Sequence, residues 1–147
     1  MYKVIVVGTD GSGRAGVAVR EALALAKIAG ATLHAVHVVR PVSMTGAEYG
    51  DPAAVMAANE DMRDNGDKIL ARMLADAERQ GVSAEGHNVS GDPADVLIKL
   101  AEALPADLVV IGNRGMTGIK RLVLGSVPNK VSHHCPCNLL IVNTDAA

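Results

Sequence analysis

The feature that most constrains the fold is an alternation. Five short runs, "KVIVVG" (3–8), "ATLHAVHVV" (31–39), "VSAEGHNV" (82–89), "DLVVIG" (107–112) and "CNLLIVN" (137–143), alternate with segments of helical periodicity. Most are rich enough in β-branched and aliphatic residues to be strands buried on both faces; the third, with its polar alternation, is the poorest. Between the first two, Ala18, Ala22, Leu25 and Ala29 recur at helical spacing from about Arg14 to Ala29, and Gly30 closes the segment. A longer helix pattern runs from about Ala53 to Gln80, with Val55, Met62, Ile69, Leu70, Met73 and Ala77 on its buried stripe and Gly81 at its end. Gly66 inside it reads as a weak point or a kink. "GDPADVLIKLAEAL" (91–104) opens a third helix with Asp92 as cap and Pro93 in the first turn, and a fourth spans about Val127 to His134. The polar connector "RPVSMTGAEYGDP" (40–52) carries no strong signal for either element.

This β-α-β-α-β-α-β-α-β order, without repeat or break, predicts one domain over residues 1–147. The fold class is α/β: a Rossmann-like, open, parallel five-stranded sheet with helices on both faces and right-handed crossovers. With strand order 3-2-1-4-5 the topology reverses between strands 1 and 4. Ligands of such sheets bind beyond the carboxyl ends of the strands at that point. Those ends are Gly8-Thr9-Asp10 and Gly112-Asn113-Arg114-Gly115.

Composition removes several functions. A net charge of -2 gives no electrostatic grip on a nucleic-acid backbone. Phe and Trp are absent, and Tyr2 and Tyr49 are the only aromatic residues of that class. A bound base would therefore lie between aliphatic side chains, not on a stacking platform. The opening apolar run is too short for a secretion signal, and no stretch approaches the roughly 20 apolar residues of a membrane span. Cys135 and Cys137, one residue apart around Pro136, are poorly placed for a disulfide. A reduced, cytoplasmic protein is the expectation.

Two glycine patterns compete for the ligand. Gly11-Ser12-Gly13-Arg14-Ala15-Gly16 is a literal G-x-G-x-x-G, the dinucleotide fingerprint when it directly follows a strand. At this glycine content such a match arises by chance in roughly one chain of seven. Its register is also wrong, because Thr9 and Asp10 separate it from the strand, and no acidic residue ends strand 2. Gly11 and Gly13 are better read as a tight strand-to-helix turn with Ser12 or Asp10 capping the helix. The second pattern, Gly112-x2-Gly115-x9-Gly125-Ser126, lies between strand 4 and a helix start and is about a one-in-a-hundred chance event. Gly112 and Gly115 let backbone approach a ligand. Gly125 and Ser126 stand where unpaired N–H groups and the helix dipole attract phosphate, with Arg114, Lys120 and Arg121 adding positive charge.

This second pattern resembles the G-x2-G-x9-G-[ST] ATP-binding motif of the universal stress protein family. "YKVIVVGTDGS", "GDPADVLIKLAEALPADLVVIGNRG" and "GSVPNKVSHHCPCNLLIV" are similar to that family as well, covering nearly the whole chain apart from residues around 43–60. The resemblance implies an adenine-nucleotide-binding protein, commonly a homodimer, with Gly8, Thr9 and Asp10 on the adenine and ribose side and Val38 packed on the base. Gly112, Asn113, Arg114, Gly115, Met116, Thr117 and Gly118 would wrap ribose and phosphates. Gly125, Ser126, Val127 and Pro128 would meet the phosphate tail, although Pro128 removes one N–H donor. The ligand implied is ATP, or else AMP or cyclic AMP, with Mg2+ arriving on the nucleotide and Asp10 reaching metal only through it.

Plainer roles stand beside these: Asp10 as a turn former, Arg114 as a solvated surface charge, Ser126 as a helix cap. His133 and His134 point about 100° apart on a helix and, with Cys135 and Cys137, make a poor metal set. His34 and His37 face opposite sides of strand 2, where packing is the default. No general base or nucleophile triad is evident and catalytic residues are not assigned. Slow ATP hydrolysis, or autophosphorylation on Ser126 or Thr117, is the most activity expected. A Mg2+-dependent hydrolase using Asp10 is the enzymatic alternative, while a receiver domain fails for want of paired acidic residues after strand 1. The uncharged last strand predicts a homodimer through antiparallel pairing of about Asn138 to Asn143, unless the chain's own helix or tail covers that edge. A regulatory role, gating an unknown protein partner or the dimer itself, is expected, with neither nucleic acid nor membrane as partner.

Overall fold

The computed structural model describes residues 1–41, 51–113 and 125–146. Its elements follow the alternation: β1 (Val4–Thr9), α1 (Gly13–Ala29), β2 (Thr32–Val39), α2 (Pro52–Arg79), β3 (Ala84–Ser90), α3 (Pro93–Ala103), β4 (Leu108–Gly112), α4 (Ser126–His134) and β5 (Asn138–Val142). The strands form one parallel sheet in the order β3-β2-β1-β4-β5.

Two cores sandwich this sheet, one per face. Ile5 and Val7 point to one side with Ala18, Ala22 and Ala26 of α1 and Leu70, Met73 and Ala77 of α2. Val6 points to the other with Val96, Leu97 and Ala101 of α3 and Val131 of α4. Ile5, Val6 and Val7 are completely buried, which fits a central strand between two helical layers. Each such side chain contributes about 1.5–3 kcal/mol by leaving water. At the strand starts, the Asp107 carboxylate accepts from the Lys3 and Val4 amides at 2.7 and 2.9 Å and ties β1 to β4. Those backbone hydrogen bonds hold the Asp107 carboxyl below the usual range.

The helix termini carry their own explanation. Ser12, not Asp10, caps α1: its Oγ accepts from the Ala15 amide at 3.1 Å. Gly30 ends α1 in the left-handed conformation at φ 66°. Asp92 caps α3 through the Asp95 amide, with Pro93 in the first turn. Gly66 corrects the reading of α2. The helix runs unbroken from Pro52 to Arg79, and Gly66 is buried against β2 and β3. A Cβ there would lie 2.6 Å from Asn88 Oδ1 and 2.8 Å from His37 Cε1, so the glycine permits a close approach and does not mark a kink.

Candidate nucleotide site

A cavity of about 520 Å³ opens beyond the carboxyl ends of β1, β2 and β4, at the reversal of strand order. That size is within the range of small-molecule sites. Its walls are aliphatic: Val36 and Val38 from β2, Met62 from α2, Pro93 and Leu97 from α3, and Ile111 from β4. Its polar groups are few, namely Thr9, Asp10, His37, Arg40, Asn65 and Ser126.

The end of β1 supplies Gly8, Thr9 and Asp10. Gly8 keeps this end of the strand close to α3: a Cβ there would stand 3.1 Å from Leu97 Cδ1, and the leucine would have to give by a few tenths of an ångström. Thr9 Oγ1 accepts from the Gly11 amide at 3.1 Å, and Asp10 Oδ1 accepts from the Ser12 amide at 2.9 Å. These side-chain turns steer the backbone from strand to helix. Gly11, at φ 80°, completes the bend. The first glycine motif is thus the entry to α1, and the two residues ahead of it line the cavity.

Opposite stands the start of α4. Gly125 is the residue before its first turn and makes no side-chain cap. Ser126 therefore does not cap the helix as its sequence position had suggested, because it already occupies the first helical position, with its side chain exposed. The Asn129 amide bonds back to the Gly125 carbonyl, Pro128 has no N–H, and the Ser126 and Val127 amides remain at the positive end of the helix dipole. Gly125, Ser126, Val127 and Pro128 all line the cavity. Lys130 fixes α4 against α3, 2.8 Å from Asp95 and 3.5 Å from Asp92. The hydrogen bond that Lys130 donates to the Asp95 carboxylate raises the Lys130 pKa, and the hydrogen bond that Asp92 accepts from the Asp95 amide is the main cause of the lowered Asp92 pKa.

Of the residues singled out from sequence, Gly8, Thr9, Asp10, Val38, Gly112, Gly125, Ser126, Val127 and Pro128 come together around this cavity. Asn113 is not among the lining residues. Its Oδ1 accepts from Thr144 N and Oγ1 at 3.1 and 2.9 Å, anchoring the segment after β5. Arg114, Gly115, Met116, Thr117 and Gly118 lie outside the described residues.

Sequence reasoning missed His37 as a cavity residue. It is only 8% exposed, and its Nδ1 lies 3.0 Å from Asn88 Oδ1. Asn88 donates from Nδ2 to the Arg63 carbonyl and to Asp67 Oδ1, which fixes its amide with oxygen toward the histidine. His37 Nδ1 is then the N–H donor. A histidine after a run of strand residues carries no mark of this. Only the register pairing His37 with Asn88 could have found it.

The other sulfur and imidazole groups stand apart from the cavity. Cys135 and Cys137 are half-buried free thiols with Sγ atoms 3.8 Å apart, and His133 and His134 are exposed. Burial, reinforced by Cys135, pushes the Cys137 thiol up to about 12. Among the described residues no helix is long and apolar enough to cross a membrane.

The whole arrangement has relatives. A universal stress protein of Bacillus subtilis, YxiE, is 34% identical over 147 residues, spanning 97% of this chain and 99% of its own. A universal stress protein solved in complex with cAMP is 33% identical, with TM-score 0.73 over 97% of this chain and 98% of that one. UspA from Lactobacillus plantarum, at 22% identity, shares the fold with TM-score 0.86 over 97% and 98% of the two chains. The sequence profile of the universal stress protein family matches residues 1–143, and with the 3-2-1-4-5 sheet and this full-length similarity the chain belongs to that family.

Proposed function

We propose that this chain binds an adenine nucleotide, with ATP as its ligand, and acts as a cytoplasmic, nucleotide-gated regulatory module in stress response. The observation that carries the reading is the cavity at the strand-order reversal, aliphatic on its walls and bounded by the amide-bearing start of α4. The base lies between Val38 and the neighbouring aliphatic side chains, the ribose meets Thr9 and Asp10, and the phosphates meet Ser126 and Val127. Gly112 through Gly118 wrap ribose and phosphates, and Mg2+ enters with the nucleotide. No residue is assigned a catalytic role; hydrolysis or autophosphorylation, if detected, is slow. Two copies pair through β5, which is an edge of the sheet and half-buried along Leu139 to Val142.

A second reading, AMP or cyclic AMP in the same cavity, is favoured by the 33% identical relative solved with cAMP. Pro128 points the same way, since it withdraws one amide from the phosphate end. Calorimetric titration with ATP, AMP and cyclic AMP separates the two readings by rank of affinity. Gly115→Val should abolish ATP binding while leaving the melting curve of the ligand-free protein little changed. Normal binding by that variant sinks the phosphate assignment, and no binding of any of the three nucleotides at millimolar concentration sinks the proposal.

A further inference from the structure

Away from the cavity, β2 and the edge strand β3 bring together three side chains that neither strand's pattern announces. His34 pairs in register with Glu85 and Val36 with His87, so His34, Glu85 and His87 share one face of the sheet. Their ligand atoms all lie within 4.8 Å of one another. His34 Nδ1 is 2.9 Å from His87 Nε2 and 3.7 Å from Glu85 Oε2. None of the three lines the nucleotide cavity.

We infer that His34, His87 and Glu85 form a binding site for a divalent transition-metal ion of the Zn2+ type. Two imidazoles and one carboxylate are a donor set that Zn2+ accepts with a fourth position left for water. Ligands about 2.0–2.1 Å from a tetrahedral Zn2+ stand roughly 3.4 Å from one another. The observed 2.9 and 3.7 Å bracket that spacing and the third pair lies within 4.8 Å, so the two rings, which now face each other, must turn toward a common point while the exposed Glu85 carboxylate swings in. The burial gradient suits an open site: His34 is buried, His87 half-buried and Glu85 exposed. Both histidines must bind metal as neutral rings.

The plainer account is a neutral histidine pair sharing one N–H···N hydrogen bond, which needs no ion. The two accounts differ in what Zn2+ does. The full-length protein, dialysed against chelator, is titrated with Zn2+ by calorimetry, with its melting temperature followed in parallel. The site predicts one equivalent bound and a higher melting temperature. His87→Gln should weaken that binding at least about tenfold, and Glu85→Gln should weaken it less. His133→Gln combined with His134→Gln should leave it unchanged. ATP, AMP and cyclic AMP titrations of His87→Gln should match those of the wild type, keeping this test separate from the nucleotide reading. If the wild type takes up no more Zn2+ than His87→Gln, or if the ion is lost with the His133/His134 variant instead, the site does not exist.

Discussion

Replacing Gly66 by alanine tests whether the wall behind the cavity is as tightly built as its distances say. In an exposed helix interior this substitution stabilises by about 1 kcal/mol, because alanine has the better helix propensity. At Gly66 the new methyl would sit 2.6 Å from Asn88 Oδ1, 2.8 Å from His37 Cε1 and closer still to His37 Nδ1. Ordinary contact begins near 3.4 Å, so close to 1 Å must be found by moving α2 or the two side chains. Neither yields easily. His37 is buried, and Asn88 is held by the Arg63 carbonyl and Asp67. Overpacking of this kind costs about 1–3 kcal/mol, and loss of the 3.0 Å His37–Asn88 hydrogen bond adds about 1 kcal/mol. Set against the propensity gain, Gly66→Ala should destabilise by about 1–3 kcal/mol. Urea denaturation reads this as a lower midpoint at unchanged slope. Gly16→Ala in α1 is the control, since its Cβ would meet only Arg20 Nη1 at 3.5 Å, and it should stabilise by about 0.5–1 kcal/mol. Gly66→Ala as stable as Gly16→Ala would refute the steric argument and return Gly66 to the status of an ordinary weak point.

Two further outcomes follow from charge and from the open edge. The His34 pKa is lowered on folding, so between its folded value and the ordinary histidine value of 6.5 the unfolded chain binds more protons than the folded one. Stability should therefore fall as pH drops below 6.5. Urea midpoints at about pH 7.5 and 5.5 should differ more in the wild type than in His34→Gln, and parallel behaviour would remove His34 as a contributor. At the far side of the sheet, light scattering at micromolar concentration should give a dimer mass that Leu140→Lys reduces to a monomer; a monomeric wild type would dispose of β5 pairing.

What the sequence disclosed and what it hid divide along one physical line. Features decided by neighbours in the chain were legible: the run that buries Ile5, Val6 and Val7, the Gly30 terminator and the Asp92 cap. Even the strand order was within reach, because few topologies suit five strands and four helices. The misreadings were decided by residues far away in sequence. Gly66 looked like a helix weakness because its reason, His37 and Asn88, lies on two strands outside α2. His34 and His87 are 53 positions apart, and they meet through the register of β3, whose own pattern was the weakest of the five. Ser126 shows an intermediate case. The helix start was placed within one residue, but that single residue decides whether its hydroxyl caps the helix or faces a ligand.

The cavity's charges also bear on which nucleotide the proposed site prefers. Asp10, Arg40 and the start of α4 line the same space, the first negative, the second positive and the third the positive end of a dipole. A phosphate at Ser126 is attracted there, yet it adds repulsion with Asp10 that grows with every charge the ligand carries. Asp10 already accepts the Ser12 amide through one oxygen, and a ribose hydroxyl suits the carboxylate better than any anion does. A triphosphate therefore has to run its tail away from Asp10, set its charge against Arg40 or bring Mg2+ to shield it, whereas a singly charged cyclic phosphate depends less on any of these. Since Pro128 offers no amide at the start of α4, the contribution proposed for Gly112 to Gly118 should weigh more for ATP than for cyclic AMP. This is why Gly115→Val discriminates. It should cost ATP far more than cyclic AMP if the outer phosphates lie along that stretch, and both alike if the stretch holds only the ribose.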